Sequence, residues 1–224
     1  MRNNNLAIFD FCDTIVHFQS ADAFTNFVLQ RQGGMRSVLL NAINKTFSTF
    51  RIYSIFDKLG VFKNLQKKML LSGLKDIPFN RLADFAKDFE KNVVQGNLNV
   101  EVVTLLNKHI SDGDEVILNS GGYELYLTFF AKRMGINKTY ATQIEFIDGK
   151  CTGKILGIDC LHNEKVSRMK NDGFNFQSFK EISVYSDSVT DMPLFDIATQ
   201  KIAVIKGEVV PQWCNNNLFQ ILKV

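Results

Sequence analysis

The sequence predicts an α/β protein with a mainly parallel sheet and a helical insertion behind the first strand. Three observations carry that prediction. Short apolar runs recur along the 224-residue chain, each closed by small or acidic residues. Helical patterns separate them. The interval between the first two runs, about ninety residues, is too long for a single crossover and reads mainly as helix.

The first run, Leu6–Asp10, ends in an acid. The second, Glu115–Asn119, leads into Ser120-Gly121-Gly122. The third, Ile182–Tyr185, ends in Ser186-Asp187, and the fourth, Lys201–Ile205, ends near Gly207. Apolar runs of four to six residues closed in this way read as buried parallel strands. Helical spacing over 100–110, 123–134 and 190–199 supplies the crossovers, and alternating strand and helix means a parallel sheet. Ligands of such sheets bind outside the carboxyl ends of the strands, where every polar cluster just named falls. Within the long interval, Phe79, Leu82, Phe85, Ala86, Phe89 and Val93 recur at helical spacing, with Pro78 suited to a first turn. Val38, Leu39, Ala42, Ile43 and Phe47 do the same. The expected organisation is a core of residues 1–16 and 99–224, with a helical cap at 17–98 positioned over the crevice.

Apolar types make up 46% of the residues and charged types 22%, which excludes a disordered or fibrous chain. The net charge of +3 hides a division. Between Arg31 and Lys75 lie nine Lys/Arg and one acid, so that stretch carries +8 and the remainder −5. A basic segment of this kind faces either an anionic ligand or solvent. Its Leu- and Phe-rich character also allows contact with an anionic membrane surface. No apolar run is long enough to span a membrane, and a nucleic-acid partner is not expected. Cys12, Cys151, Cys160 and Cys214 are scattered without zinc-site spacing, and no export signal opens the sequence, so the expected location is cytoplasmic. His17, His109 and His162 form no cluster, although His17 lies near the hinge of the insertion.

Four clusters carry chemistry: Asp10-Phe-Cys-Asp-Thr14, Ser120-Gly-Gly122, Lys165, and Asp187-Ser-Val-Thr-Asp191. Together they offer a carboxylate nucleophile, a hydroxyl, an ammonium and further carboxylates. Converging carboxylates need a cation between them, because like charges raise each other's pKa. A hard dication with oxygen ligands, Mg²⁺, suits them. Ser120 and Lys165 would then hold a phosphoryl group against the nucleophile. Gly121 and Gly122 would let the backbone approach the phosphate.

In this order, and with these spacings, the chain resembles the haloacid dehalogenase (HAD) superfamily, in its phosphoserine-phosphatase-like branch. The resemblance runs through Ile8–Thr14, Ile117–Tyr123, Ala141-Thr142 to Gly153, Cys160 to Lys165, and Val184–Leu194. It implies a three-layer Rossmann-like core with a helical cap after the first motif, and a phosphatase working through an aspartyl-phosphate. Asp10 would attack phosphorus, and Ser120 and Lys165 would bind phosphoryl oxygens. Asp10, Asp187 and the backbone carbonyl of Cys12 would hold Mg²⁺ with support from Asp191, and Thr14 would orient the loop.

The sequence departs from that pattern twice. Phosphatases of the family carry an acid/base Asp two residues after the nucleophile, where this chain has Cys12. A thiol is a poor acid at neutral pH. Asp13 is adjacent, but neighbouring side chains on an extended segment point opposite ways, so Cys12 and Asp13 both remain candidates. Gln19 stands where phosphoserine phosphatases place a Glu for the substrate amine, which disfavours free phosphoserine. The basic insertion points to a more anionic small metabolite, and the Phe9-Asp-Phe-Cys-x-Thr14 opening resembles that of phosphatase-like proteins associated with surface-polysaccharide synthesis, a resemblance that implies a sugar phosphate. The alternative is a phospho-ligand-binding or phosphotransfer protein that hydrolyses weakly because of Cys12. A dehalogenase is disfavoured, since Asp187 and Asp191 would have no purpose there.

Overall fold

The computed structural model describes residues 4–33, 65–214 and 218–224. The helical reading of residues 38–47 and most of the basic stretch lie outside them. In chain order the elements are β1 (Asn5–Phe9), α1 (Ser20–Gln32), α2 (Leu65–Ser72), α3 (Phe79–Phe89), α4 (Val100–Ser111), β2 (Glu115–Tyr123) and α5 (Glu124–Met134). There follow β3 (Lys138–Thr142), β4 (Ile144–Ile147), β5 (Lys150–Ile155), α6 (Asn163–Asn171), β6 (Glu181–Ser186), α7 (Met192–Ile197), β7 (Gln200–Ile205) and β8 (Gln220–Lys223).

The main sheet has the order β3-β2-β1-β6-β7-β8, and every pairing in it is parallel. β1 is central, and its side chains alternate between two cores. Ala7 and Phe9 pack with α1, α3, α4 and α5 through Phe24, Phe89, Leu106 and Phe130. Leu6 and Ile8 pack on the other face with Val166 and Met169 of α6 and Leu194 and Phe195 of α7. This period-2 division makes three layers. Each fully buried aliphatic or Phe side chain contributes about 1.5–3 kcal/mol, so the centre of the sheet is its most stable part.

All four strands read from the sequence are present. β2 runs further than expected, to Tyr123, so Ser120-Gly121-Gly122 forms an irregular strand end rather than a turn after it. The last crossover is shorter than its spacing indicated: a 3₁₀ turn at Val189–Asp191 precedes the single short helix α7. β3 and β8 were not legible, because both are edge strands with a lower apolar content than a buried central strand. Pro78 is the N-cap of α3 and not its first residue. Phe79 is 45% exposed, while Leu82, Ala86 and Phe89 form the buried stripe.

The ends of the long interval meet. Val16 and Leu98 form an antiparallel bridge, and the Asn99 amide donates to the Ile15 carbonyl at 2.8 Å. The Asn99 side chain donates to the Thr14 carbonyl (3.1 Å) and accepts from the Val102 amide, capping α4. Further on, Pro78 bridges Lys150, and Cys151 exchanges backbone hydrogen bonds with Asp76 and Ile77, tying this interval to the β4–β5 hairpin. Cys151, Cys160 and Cys214 are buried and Cys12 is half-buried; all four are free thiols. Trp213 packs against Phe195 of α7 and Phe219. Among the described residues, no helix is long and apolar enough to cross a membrane.

Candidate active site

The chain crosses from one half of the sheet to the other between β1 and β6, and the carboxyl ends of these strands open into a cavity of about 340 Å³. In parallel α/β sheets a ligand crevice forms at this switch point. Asp10 follows β1 directly, and its amide donates to the Tyr185 carbonyl on β6 at 2.9 Å. Lys165 enters from the first turn of α6, whose backbone is fixed by the Asn119 side chain donating to the Lys165 carbonyl (3.0 Å). The Lys165 ammonium is 2% exposed and lies 2.7 Å from both Asp10 and Asp191. Ser186, at the end of β6, donates to Asp191 at 2.6 Å. Four residues from three separate stretches of sequence thus share one hydrogen-bonded network.

The charges in it are mutually dependent. Burial pushes the Asp10 carboxyl up to about 7; Lys165 pulls it down, while Asp191 and Asp187 push it up again. Burial raises Asp187 to about 6, with Asp13 adding to the rise and the Thr14 hydrogen bond opposing it. For Lys165 burial favours the neutral amine, but the carboxylates of Asp10 and Asp191 outweigh it and raise its pKa, so it is a permanent ammonium at neutral pH. Three carboxylates are therefore served by one cation. An all-oxygen site with excess negative charge fits a hard divalent ion. Among the described residues no cluster of three such donors is preformed. Lys165 sits between Asp10 and Asp191, which leaves Asp10 and Asp187 as the carboxylates available to a cation.

The other residues singled out from the sequence divide. Thr14 is buried, and its hydroxyl donates to Asp187 (3.2 Å) while accepting from the Asp187 amide (3.1 Å). It fixes the β6 loop and does not line the cavity. Ser120 is buried, and its hydroxyl accepts from the Gly122 amide at 3.0 Å. A Cβ on Gly122 would stand 2.5 Å from the Tyr126 hydroxyl and 3.0 Å from the Ser20 hydroxyl, and one on Gly121 would stand 2.5 Å from Leu161. Close approach from three side chains requires the glycine at 122, whereas at 121 a turn of the Leu161 side chain would make room. Gln19 and Gly121 line the cavity.

Cys12 lines it as well, but its thiol lies 3.0 Å from the Ser20 hydroxyl, which lies 2.5 Å from the Tyr126 hydroxyl. Burial and then the charge of Asp10 push the thiol up to about 11. Asp13 departs from the extended geometry assumed for it. Its φ is 53°, and its carboxylate accepts from Gln19 and Lys206, so it does not line the cavity.

Among the cavity-lining residues not singled out as site residues, three are titratable: Asp22, Lys67 and His162. Lys67, on α2, donates to the Gly121 carbonyl and pairs with Asp159, both at 2.6 Å. Its place in the basic stretch was the signal that could have found it. Its charge, however, is matched by Asp159 rather than left for a ligand.

Comparisons with known proteins give the family and the fold. Residues 7–196 match the family of haloacid dehalogenase-like hydrolases. A histidinol-phosphatase of Neisseria meningitidis serogroup C is 25% identical over 205 residues, covering 89% of this chain and 90% of that protein. A solved protein of unknown function from Bordetella pertussis Tohama I aligns over 91% of both chains with a TM-score of 0.76 at 24% identity. A structure of phosphoserine phosphatase with a phospho-aspartyl intermediate analogue aligns over 91% of this chain and 87% of that one, with a TM-score of 0.59 at 18% identity. The chain belongs to the haloacid dehalogenase superfamily, in its phosphoserine-phosphatase-like branch, and is a hydrolase of the phosphatase class.

Proposed function

We propose that this chain is a Mg²⁺-dependent phosphomonoesterase that passes the phosphoryl group of a small metabolite through Asp10. The observation that carries the reading is the buried ammonium of Lys165, held 2.7 Å from Asp10 and from Asp191 at the floor of the cavity. Such a pair at a sheet switch point suits one task, holding a dianionic group against a nucleophile. Asp10 and Asp187, with the main-chain carbonyl of Cys12, would hold the metal, and Asp191 would support the site through Lys165 and Ser186. Bound Mg²⁺ supplies the positive charge that lets Asp10 stay ionised beside an anionic substrate.

Asp10 attacks phosphorus and becomes an aspartyl-phosphate. The ester alcohol leaves, Lys165 and the backbone at Gly121 hold the phosphoryl oxygens, and water releases phosphate; Ser120, buried off the cavity with its hydroxyl on the Gly122 amide, would shape this strand end. The 17–98 interval serves as a cap, a role supported by the reach of Lys67 to the Gly121 carbonyl. Its basic stretch draws in an anionic ester, and a sugar phosphate remains the reading of the opening motif. A second reading, a phosphate ester carrying an amine, is favoured by Asp22. Its carboxylate lines the cavity and takes no hydrogen bond among the described residues. The Neisseria relative is named a histidinol-phosphatase, whose substrate is of that kind.

Phosphate release from sugar phosphates, histidinol phosphate, phosphoserine and nucleotides, with Mg²⁺ and with Asp10→Asn as the blank, tests both. Release that is abolished by chelator and by Asp10→Asn supports the mechanism. Release that survives either change overturns it.

A further inference from the structure

The geometry points to His162 as the acid/base of this site, the group that protonates the leaving oxygen and then takes a proton from the attacking water. This inference rests on the phosphatase reading. Breaking the bond from phosphorus to an alkyl ester oxygen leaves an alkoxide, and a positioned acid accelerates that step by about 10²–10⁴-fold. Both residues expected to supply the proton are engaged elsewhere. The Cys12 thiol is bonded to Ser20 and is far too weak an acid at neutral pH. The Asp13 carboxylate is turned to Gln19 and Lys206.

His162 differs on three counts. It lines the same cavity as Asp10, Cys12 and Lys165. Its ring makes no hydrogen bond with any described residue, so both nitrogens are open to a ligand. Its backbone sits at φ 51° and ψ −129°, outside the left-handed helical well and in a region that glycine adopts with far less strain. Strain of this kind persists where the surrounding structure enforces it, and it gathers at functional sites. Glycine would make this turn more easily, and the chain instead presents an imidazole there. Histidine is also the side chain that changes charge nearest neutrality, so one ring can give a proton and later accept one.

In the first half-reaction an Asp10 oxygen bonds to phosphorus and the ester P–O bond breaks. Its electron pair goes to the leaving oxygen, which takes the proton of the His162 imidazolium and departs as the alcohol. In the second, the neutral imidazole accepts a proton from water as the water oxygen bonds to phosphorus. The bond from phosphorus to Asp10 breaks, its electron pair returns to the carboxylate, and phosphate leaves. Sharing the cavity wall with His162 are Asp10, Cys12, Asp187 and Asp191 from the strand-end loops, and Asp22 and Lys67 from α1 and α2. On its own helix are Lys165 and Glu164, the latter paired with Arg168.

The test compares β-glycerol phosphate, whose leaving group needs a proton, with p-nitrophenyl phosphate, whose leaving group does not. For His162→Ala the ratio of kcat/KM for the alkyl ester to that for the aryl ester falls about 100-fold. The alkaline decline of the wild-type alkyl profile disappears. His162→Gly gives the same loss of ratio together with a higher Tm, since it relieves the backbone strain. A ratio within threefold of wild type in both variants overturns the proposal, as does a collapse of the ratio in Cys12→Ala alone. If the wild type with Mg²⁺ releases phosphate from neither ester, the phosphatase reading itself is overturned and this inference with it.

Discussion

Lys165 reaches two carboxylates from the first turn of α6 with its side chain only 2% exposed. Removing one partner of a buried ionic group is worse than removing both, since it strands a charge. Lys165→Met therefore costs about 3 kcal/mol in urea unfolding without metal. Adding Asp191→Asn to it restores part of that loss, and no restoration would mean that the three groups are not coupled. A second expectation concerns the replaced acid. Cys12→Asp in a His162→Ala background raises alkyl phosphate turnover at least tenfold over His162→Ala alone, measured by phosphate release. At this scale the sequence was informative for Asp10, Lys165, Asp187 and Asp191, whose residue types and order sufficed. It could not reveal that Asp13 turns away or that His162 holds a strained backbone, because both follow from local dihedral angles that residue type does not fix.

The elements position these groups through a few close contacts. The end of β2 touches α1 and α5 so tightly that Gly122 has no room for a methyl group beside Tyr126 and Ser20. Gly122→Ala is expected to lower stability by about 2 kcal/mol by overpacking. Under the phosphatase reading it also lowers kcat, since the amide that donates to Ser120 must move. A variant of wild-type stability would show that the neighbouring hydroxyls yield freely. Asn99→Ala, which loses the cap of α4 and the tie to Thr14, is expected to cost about 1–2 kcal/mol by thermal or urea unfolding. The central strands were legible because strands buried on both faces read as continuous apolar runs. The edge strands β3 and β8 were not, since their short segments, Lys-Thr-Tyr-Ala-Thr and Gln-Ile-Leu-Lys, hold no such continuous apolar run.

Across the whole molecule the raised carboxyls set the pH response of the metal-free protein. Asp10 at about 7 and Asp187 at about 6 bind protons more tightly in the folded chain than in the unfolded one, where carboxyls titrate near 4. Between pH 4 and 7 the folded state then holds more protons, so the contribution of these groups to stability falls as pH rises. The chelated protein is expected to melt at a higher temperature at pH 5.5 than at pH 7.5. Under the metal reading, millimolar Mg²⁺ removes most of this difference by taking the place of the protons, and binding near pH 6 releases protons to the buffer. A Tm that Mg²⁺ leaves unchanged at both pH values would count against a metal held by Asp10 and Asp187. The basic stretch belongs to this scale too. Its net charge was legible, but the pairing of Lys67 with Asp159, ninety-two residues away, was not.

The sequence alone determined the α/β class, the strands that build the centre of the sheet, the superfamily, and the four clusters at the strand ends. Periodic burial and residue order are local properties, and a linear chain carries them openly. Only the tertiary structure decided which carboxylates share the Lys165 ammonium, that Cys12 is bonded to Ser20 and Ser20 in turn to Tyr126, and that His162 stands on the cavity wall. Those facts depend on groups far apart in sequence meeting at one point in a medium that excludes water. There, burial and neighbouring charge outweigh what each residue type does alone.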